Sequence, residues 1–441
     1  MDVGRGHRAL SAIARAMEAA EAVSPVEAVE AVTREIGLAL DATRVSFLVA
    51  DLSGRALVRL AHVRLDTADG TTGPPLGPAE RRAVEESATV LPFDGGPAEQ
   101  AIRSQQVKVL PPDARHGRSD GAGQWRLLAP VTQRGEAIGL LEFLLPEEPD
   151  HDTVEEIARL AHFLAFVIIA NRRHTDLYEW GQRTRPLNLS AEIQHRLLPG
   201  PQTCEAGAFT LAGWLEPAAG IAGDTFDFSV ARDTLHLSLT DAMGHGVGAA
   251  LAATLCVGSL RNARSEGASL LEQVGSTNRA LFEHAADYGL EDFVTGLIGR
   301  IDLRTGSMDL VNAAHVAPYL ARGDDVSTLS LPVDLPIGLF ADTTYRASRA
   351  TLLPGDRIVF VTDGMLERNA DDVDLPTEIL ATRSLHPREA VRSLADRVLE
   401  ATAHALSDDA TVLCLDWHGR HGRDRGSVHG AEPLRVSRPL G

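Results

Sequence analysis

Four short segments in the C-terminal half of the chain place an aspartate where an apolar strand begins or ends. In SLTDAMGHG an alternating apolar run stops at Asp241, and in FVTDGMLE another run stops at Asp363. Asp224 precedes a third run in AGDTFDF, and Asp408 precedes a fourth in SDDATVLCL. A single aspartate in such a position is usually a turn former or a helix cap. Four of them, each next to a strand that we expect to be buried, indicate a shared site.

Converging carboxylates repel one another, and none of these motifs contains Lys or Arg. A divalent cation would remove that cost. Oxygen ligands favour Mg²⁺ or Mn²⁺ over zinc or copper, which prefer nitrogen and sulfur. Two such ions, about 3.5–4 Å apart, would share a carboxylate and produce hydroxide from a bridging water near neutral pH. The pattern therefore predicts a two-metal site, and its natural substrate is a phosphate ester.

Length and composition limit the class of protein. The 441 residues predict two or three domains, and a formal net charge of −19 without a Lys/Arg cluster argues against nucleic-acid binding. The three cysteines are far apart, so neither a zinc site nor a disulfide framework is expected. The alanine-rich N-terminus carries charges throughout, unlike a signal peptide, and the longest apolar run, FLAFVIIA at 163–170, is too short to span a membrane. We predict a cytoplasmic protein.

The N-terminal third predicts a sheet flanked by helices. Ser24, Pro25 and Glu27 form a capping-box pattern that places a helix start at Pro25. Strands are predicted over 44–50 and 57–64, and a long helix from about residue 152. LAPV, followed by RGEAIGLLEF within a hairpin and then by this terminal helix, resembles a GAF domain over residues 24–172. The resemblance implies a six-stranded antiparallel sheet that binds a small ligand. No bilin cysteine or cyclic-nucleotide signature identifies that ligand.

The long helix carries an apolar seam with steps of three and four residues. The seam consists of Val154, Ile157, Ala161, Leu164 and Ile168, which is the spacing of a coiled coil. Two interpretations stand side by side. The seam either packs on the sheet of its own domain or forms a homodimer contact. Beyond it, the chain between 172 and 199 is interrupted by Pro186, and it reads as a helical connector able to transmit a rearrangement.

Eight ordered segments cover residues 190–417: AEIQHRLLP, PAAGIAGDTFDF, LTDAMGHGVGAALAATL, FVTGLIGRIDLRTG, VNAAHVAPYLARG, LPIGL, LLPGDRIVFVTDGMLE and DDATVLCL. In order and spacing they resemble the SpoIIE/RsbU-type branch of the PP2C-like serine/threonine phosphatases. The resemblance implies an α+β fold, in which two packed antiparallel sheets lie between helical layers as an αββα sandwich, with metals at one end.

The resemblance also implies roles for individual residues. Carried over motif by motif, it makes Asp241 the bridging ligand and the Ala242 carbonyl the adjacent oxygen ligand. Asp363 and Asp408 would hold the second metal. Asp224 would support the first metal directly or through water. The four aspartates among these residues are the predicted catalytic set.

Further residues of the motifs have supporting roles by the same resemblance. Asp227, Glu367 and Asp409 are expected to hydrogen-bond or to lie in the outer shell of the metals. His245 either positions the phosphate or leaving group or serves the turn. His315, in NAAH, is expected to be packed or hydrogen-bonded beneath the sheet.

The chain departs from the family pattern in three places. Ala222-Gly223 replaces a double glycine, Thr225-Phe226 replaces an aromatic pair, and NAAH replaces NAGH. The extra methyl groups of Ala222 and Ala314 would crowd a tight backbone. Because no carboxylate is lost, we expect activity to remain, with reduced turnover as one outcome.

The sequence thus predicts a metal-dependent serine/threonine phosphatase regulated by a GAF sensor. The resemblance implies that its substrate is a phosphorylated anti-sigma-factor antagonist, a STAS-domain protein, in partner-switching control. One alternative is a catalytically weak scaffold, although this chain retains the carboxylates that scaffolds tend to lose. A two-metal cyclase or nuclease would need a basic groove or nucleotide-recognising residues, which are not evident. The predicted organisation is helix 1–23, GAF-like domain 24–172, helical linker 173–199, phosphatase domain 200–417 and disordered tail 418–441.

Overall fold

The described residues divide into two compact units, one up to residue 182 and the other from residue 188. The computed structural model describes the following stretches: residues 3–51, 55–65, 90–112, 123–182, 188–218, 223–289, 292–366, 373–403 and 406–420. Most of the predicted tail, residues 421–441, therefore lies outside the described residues. No helix in these stretches is long and apolar enough to cross a membrane.

The first unit contains a six-stranded antiparallel sheet with helices, as the GAF resemblance implies. The strand order is β3-β2-β1-β6-β5-β4. Its strands are β1 (Arg44–Ala50), β2 (Ala56–Arg64), β3 (Val90–Pro92), β4 (Lys108–Leu110), β5 (Trp125–Gln133) and β6 (Glu136–Leu145). Its helices are α1 (Val3–Glu21), α2 (Ala28–Ala39), α3 (Pro97–Ser104), α4 (His151–Asn171) and α5 (Leu177–Gly181).

The apolar seam of α4 packs on the sheet of its own unit. Ile157, Ala161, Leu164 and Ile168 are at most 1% exposed and share one core with strand residues such as Phe143. Periodicity had identified the buried face of the helix but not what covers it. Because the seam is covered within its own unit, it is not available for a dimer contact. The homodimer is still a prediction, but the seam no longer supports it.

The predicted start of the second helix is wrong by three residues. The helix α2 begins at Ala28, because Ser24 to Glu27 form a turn in which the Ser24 carbonyl accepts the N–H of Glu27 at 2.9 Å. The Ser24 hydroxyl donates to the Glu27 carboxylate at 2.9 Å instead of accepting a helical N–H. The two capping-box residues are therefore in contact, but they stabilise the turn before the helix.

The second unit contains two further six-stranded sheets. The first has the order β15-β12-β11-β10-β9, with β16 also paired to β12, and the second has the order β14-β13-β17-β18-β8-β7. All pairs are antiparallel except the short β12–β15 pair. The strands are β7 (Thr203–Glu205), β8 (Phe209–Glu216), β9 (Asp224–Val230), β10 (Thr234–Ala242), β11 (Val294–Asp302), β12 (Ser307–Ala313), β13 (Tyr319–Arg322), β14 (Asp325–Thr328), β15 (Val333–Asp334), β16 (Ala347–Thr351), β17 (Arg357–Val361) and β18 (Ala410–Trp417).

Helices cover both sheets of the second unit, so the layers follow the predicted αββα order. Side chains of both sheets form the central core, among them Phe226 and Leu237 from the first and Phe360 and Leu413 from the second. Alternate residues of the strands, such as Leu235, Leu237 and Leu239 of β10, supply this core. The helices are α6 (Leu189–Leu197), α7 (Gly246–Ser265), α8 (Leu270–Tyr288), α9 (Leu375–Ala381) and α10 (Pro387–Ala401).

A buried arginine fixes the second sheet to the helical segment beside it. Arg357 of β17 is 2% exposed and donates to the Asp416 carboxylate at 2.6 and 3.0 Å. Two further N–H groups donate to the carbonyls of Thr382 and Leu385 at 2.7 and 2.6 Å. The guanidinium thus serves four acceptor contacts that a shorter or apolar side chain could not make.

We expect Arg357→Met to lower the free energy of unfolding of the second unit by about 3–5 kcal/mol, because a buried carboxylate loses its partner. Arg349→Met is the matched control, since Arg349 forms an Arg–Asp pair with Asp309 on the protein surface. Its loss should change stability little. Urea denaturation followed by fluorescence measures both variants, and equal effects would contradict this interpretation.

Candidate active site

Two of the predicted carboxylates face each other at the edge of the first sheet. Asp224 is the first residue of β9, and the antiparallel register pairs it directly with Asp241, the penultimate residue of β10. Leu235, Leu237 and Leu239 anchor β10 in the core and are at most 2% exposed. The alternation that buries these leucines delivers Asp241 to the end of the strand.

The second sheet contributes three further carboxylates. Asp363 begins a 3₁₀ helix (Asp363–Leu366) just after β17, while Asp408 and Asp409 lie just before the neighbouring strand β18. Gly364 permits the close approach of these two segments, because a Cβ atom at this position would clash with the Asp409 carbonyl. The glycine after Asp363 is therefore a steric requirement of this edge.

Electrostatic interactions link carboxylates of the two sheets. Burial, followed by the charges of Asp363, Asp408 and Asp409, raises the pKa of Asp241 to about 7. The pKa of Asp224 is raised well above its ordinary value, first by burial and then by the charges of Asp241 and Asp409. Carboxylates from both sheets thus destabilise one another's charged forms.

Two threonine hydroxyls hold the Asp224 side chain. Thr362 and Thr411 both donate to its Oδ2 atom, at 2.7 and 2.6 Å. Thr362 follows β17 and Thr411 belongs to β18, so these hydrogen bonds join the first sheet to the second. Neither threonine was predicted from the sequence, although each lies within three residues of a predicted aspartate.

Asp409 lies in a network of hydrogen bonds. Its Oδ1 atom accepts the N–H of Ala218 at 2.8 Å, and its Oδ2 atom accepts from the Gln194 amide at 2.5 Å. The same amide nitrogen of Gln194 donates to the Asp224 carbonyl at 2.9 Å. Burial raises the pKa of Asp409, although these donors oppose the shift. Gln194 belongs to the motif AEIQHRLLP, but the sequence alone predicted no role for it.

The structure does not bring Asp227 to the other carboxylates. Asp227 is three residues beyond Asp224 in β9, so the alternation along a strand places the two side chains on opposite faces. There Asp227 pairs with Arg261 at 2.9 Å and with Arg264 at 3.3 Å, both from α7. Its contacts fix a helix to the sheet.

The remaining predicted residues have different surroundings. The Ala242 N–H donates to the carbonyl of Gly223 at 3.2 Å, and a Cβ atom at Gly223 would lie 2.6 Å from the Ala242 oxygen. His245 is exposed at the start of α7, and its ring forms no capping hydrogen bond to that helix. Glu367 lies outside the described residues.

The NAAH segment forms a tight turn next to Asp241. The carbonyl of the Asn312 side chain accepts the N–H of His315 at 2.8 Å, and Ala314 between them has a φ of 55°. The His315 ring contacts Thr295 at 2.9 Å, and Thr295 pairs with Asp241 across β10 and β11. Burial lowers the pKa of His315 to about 4, so its ring is neutral near pH 7.

The donor chemistry of this edge suits a hard divalent cation. In the described stretches, ion pairs do not reach Asp224, Asp241, Asp363 or Asp409. Burial and then neighbouring aspartates raise the pKa values of Asp224 and Asp241. Among the described residues, however, no three His, Cys, Asp or Glu side chains lie close enough together to hold a metal ion. Binding a cation here would therefore draw the carboxylates closer than they lie in this arrangement.

Two antiparallel sheets lie between helices in the second unit, and carboxylates lie at one edge, which is the arrangement that the resemblance to the PP2C-like family implies. Residues 231–418 match the family model of Stage II sporulation protein E (SpoIIE), and residues 24–168 match that of the GAF domain. The chain therefore consists of a GAF domain followed by a SpoIIE-type phosphatase domain.

Individual relatives match parts of the chain at low identity. Phosphoserine phosphatase RsbU of Bacillus subtilis is 23% identical over 287 residues, which cover 63% of this chain and 83% of RsbU. Stage II sporulation protein E of the same organism is 22% identical, over 40% of this chain and 22% of its own length. A crystal structure of the RsbU and RsbW domains of a Mycobacterium tuberculosis protein aligns with a TM-score of 0.43 and 23% identity, covering 52% of this chain and 63% of that one.

We expect Ala314→Gly to raise the free energy of unfolding by up to about 1 kcal/mol, because glycine adopts a positive φ without the steric cost of a Cβ atom. Ala403→Gly is the comparison for stability, since Ala403 has a similar φ of 51° just after α10. Thermal unfolding measures both variants. A loss of stability in Ala314→Gly would show that the methyl group is accommodated without strain.

Proposed function

We propose that this chain is a metal-dependent phosphatase that removes phosphate from serine or threonine of a phosphoprotein. The observation that carries the proposal is the pairing of Asp224 with Asp241 at a sheet edge that also holds other carboxylates. Burial raises both pKa values first, and neighbouring charges add to it: Asp241 and Asp409 at Asp224, and Asp363, Asp408 and Asp409 at Asp241. Such a concentration of carboxylates is costly for a purely structural role. Binding of divalent cations would offset this cost and would give the carboxylates a function.

We assign the side chains of Asp224, Asp241, Asp363 and Asp408 and the carbonyl of Ala242 as ligands of two Mg²⁺ or Mn²⁺ ions. Bound there, the ions would activate water for attack on phosphorus and neutralise charge on the phosphate oxygens. Both ions accept this oxygen donor set. The choice between them stays open.

Hydrogen bonds within the protein orient the carboxylates of the site. Thr362 and Thr411 occupy one oxygen of Asp224, which leaves the other for a ligand role. Asp409 does not compete for a cation, because both of its oxygens accept hydrogen bonds. We propose that His245, which is exposed at the start of α7, contacts the phosphate or the leaving group of a bound substrate.

The proposed substrate is a phosphorylated STAS-domain antagonist of an anti-sigma factor. Support comes from the match to the SpoIIE family and from the similarity to RsbU, which is named a phosphoserine phosphatase. We further propose that the GAF domain regulates turnover in response to a small ligand or partner. Cytoplasmic location and homodimer formation remain predictions from the sequence.

Hydrolysis of a small phosphate ester tests the proposal, with Mn²⁺, with Mg²⁺ and with chelator. We expect Asp241→Asn to lower metal-dependent turnover by about 100-fold or more, because it removes the central charge of the site. Asp309→Asn is the matched control, since Asp309 pairs with Arg300 and Arg349 in the same sheet and should leave turnover unchanged.

The second substrate is a phosphorylated STAS-domain protein, assayed with the same variants. Metal-dependent release of phosphate that is lost only in Asp241→Asn supports the proposal. If wild-type protein hydrolyses neither substrate with either metal, the chain is a regulatory scaffold that uses the phosphatase fold for protein binding.

A further inference from the structure

The first helix of the second unit is hydrogen-bonded to the candidate site by a glutamine. Gln194 of α6 is 2% exposed, and its amide nitrogen donates to Asp409 Oδ2 at 2.5 Å and to the Asp224 carbonyl at 2.9 Å. Asp224 begins a strand of the first sheet, and Asp409 precedes β18 of the second. One amide group therefore joins the two segments that supply carboxylates.

Asp409 also forms hydrogen bonds with neighbouring segments of the site. Its Oδ1 atom accepts the N–H of Ala218 at 2.8 Å, and the backbone groups of Gly223 and Asp224 also stabilise its charge. The Asp409 N–H donates to the Asp408 carboxylate at 2.8 Å. The orientation of Asp408 thus depends on a residue that Gln194 holds.

Both ends of α6 have their own contacts, so Gln194 is held in place. The Asn188 side chain accepts the N–H of Ala191 at 2.8 Å and caps the first turn. At the other end, the Leu197 carbonyl accepts from Arg261 at 2.7 Å, and the same guanidinium pairs with Asp227. The position of the amide is therefore set by the helix and not by the site alone.

We propose that Gln194 is a positioning residue that fixes Asp409 and the start of β9 relative to each other, and thereby sets the cation ligands Asp224 and Asp408. This inference rests on the proposed metal site. The side chain at this position must be uncharged and must donate two hydrogen bonds, one to Asp409 and one to the Asp224 carbonyl. A glutamate would place a further negative charge against Asp409, and a leucine would leave two buried acceptors without this hydrogen bond.

The test compares Gln194→Leu with Gln273→Leu in the full chain. Gln273 is also a buried glutamine of the second unit, 4% exposed, whose amide donates to a backbone carbonyl, that of Ala268, at 2.8 Å. Binding of Mn²⁺ is measured by calorimetry without substrate, and ester hydrolysis is then measured over a range of Mn²⁺ concentrations. Thermal unfolding reports the structural cost of each substitution.

We expect Gln194→Leu to raise the Mn²⁺ concentration for half-saturation at least about tenfold, which corresponds to 1.4 kcal/mol of binding free energy. The kcat at saturating Mn²⁺ should fall by a smaller factor. Gln273→Leu should lose similar stability but keep wild-type Mn²⁺ affinity. Gln194→Glu, which has nearly the same size, should bind Mn²⁺ no better than Gln194→Leu if positioning by a neutral donor is what matters.

Unchanged Mn²⁺ affinity in Gln194→Leu, with the stability loss of Gln273→Leu, would show that Gln194 is only structural. If Gln194→Leu does not fold, Gln194→Asn provides the comparison, since it keeps the amide on a side chain one methylene shorter. Wild-type protein that binds Mn²⁺ without hydrolysing any substrate would overturn the proposed function alone. Wild-type protein that binds no Mn²⁺ would overturn this inference.

Discussion

The repulsion between Asp224 and Asp241 is the constraint on which the rest of the second unit depends. Their register across β9 and β10 brings the two carboxylates together. Burial and then the charge of Asp241 raise the pKa of Asp224, while burial and the carboxylates of the second sheet raise that of Asp241. Folding tolerates this cost because Thr362 and Thr411 donate to Asp224 and because Asp409 has donors of its own. Under the proposed function, the same repulsion becomes the driving force for cation binding.

Much of the fold follows from local patterns in the sequence. The strands predicted over 44–50 and 57–64 match β1 and β2 to within one residue, because two short apolar runs rich in valine and leucine lie on either side of a turn signal at 51–54. The seam of α4 shows the limit of such reasoning. A spacing of three and four residues identifies a buried face, but it does not say whether a sheet or a second helix covers it.

Part of the site can likewise be predicted from local sequence patterns, and part of it cannot. Aspartates at strand ends are visible in sequence, and the alternation along β9 would also have separated Asp227 from Asp224. The residues that hold the carboxylates are not visible, because they are distant in sequence. Thr362 and Thr411 are 138 and 187 residues from Asp224, and Gln194 is 215 residues from Asp409. Hydrogen bonds over such separations exist only once the sheets have packed.

The hydrogen bonds from Thr362 and Thr411 to Asp224 have a consequence for the interior of the sandwich. They connect the two sheets at the acidic edge. A change in the distance between the sheets would therefore also change the positions of the carboxylates. The apolar layer between the sheets, which includes Phe226 and Phe360, sets that separation. The volume of the core therefore helps to determine how well the acidic edge can close around an ion, even though these aromatic side chains carry no charge and no ligand atom.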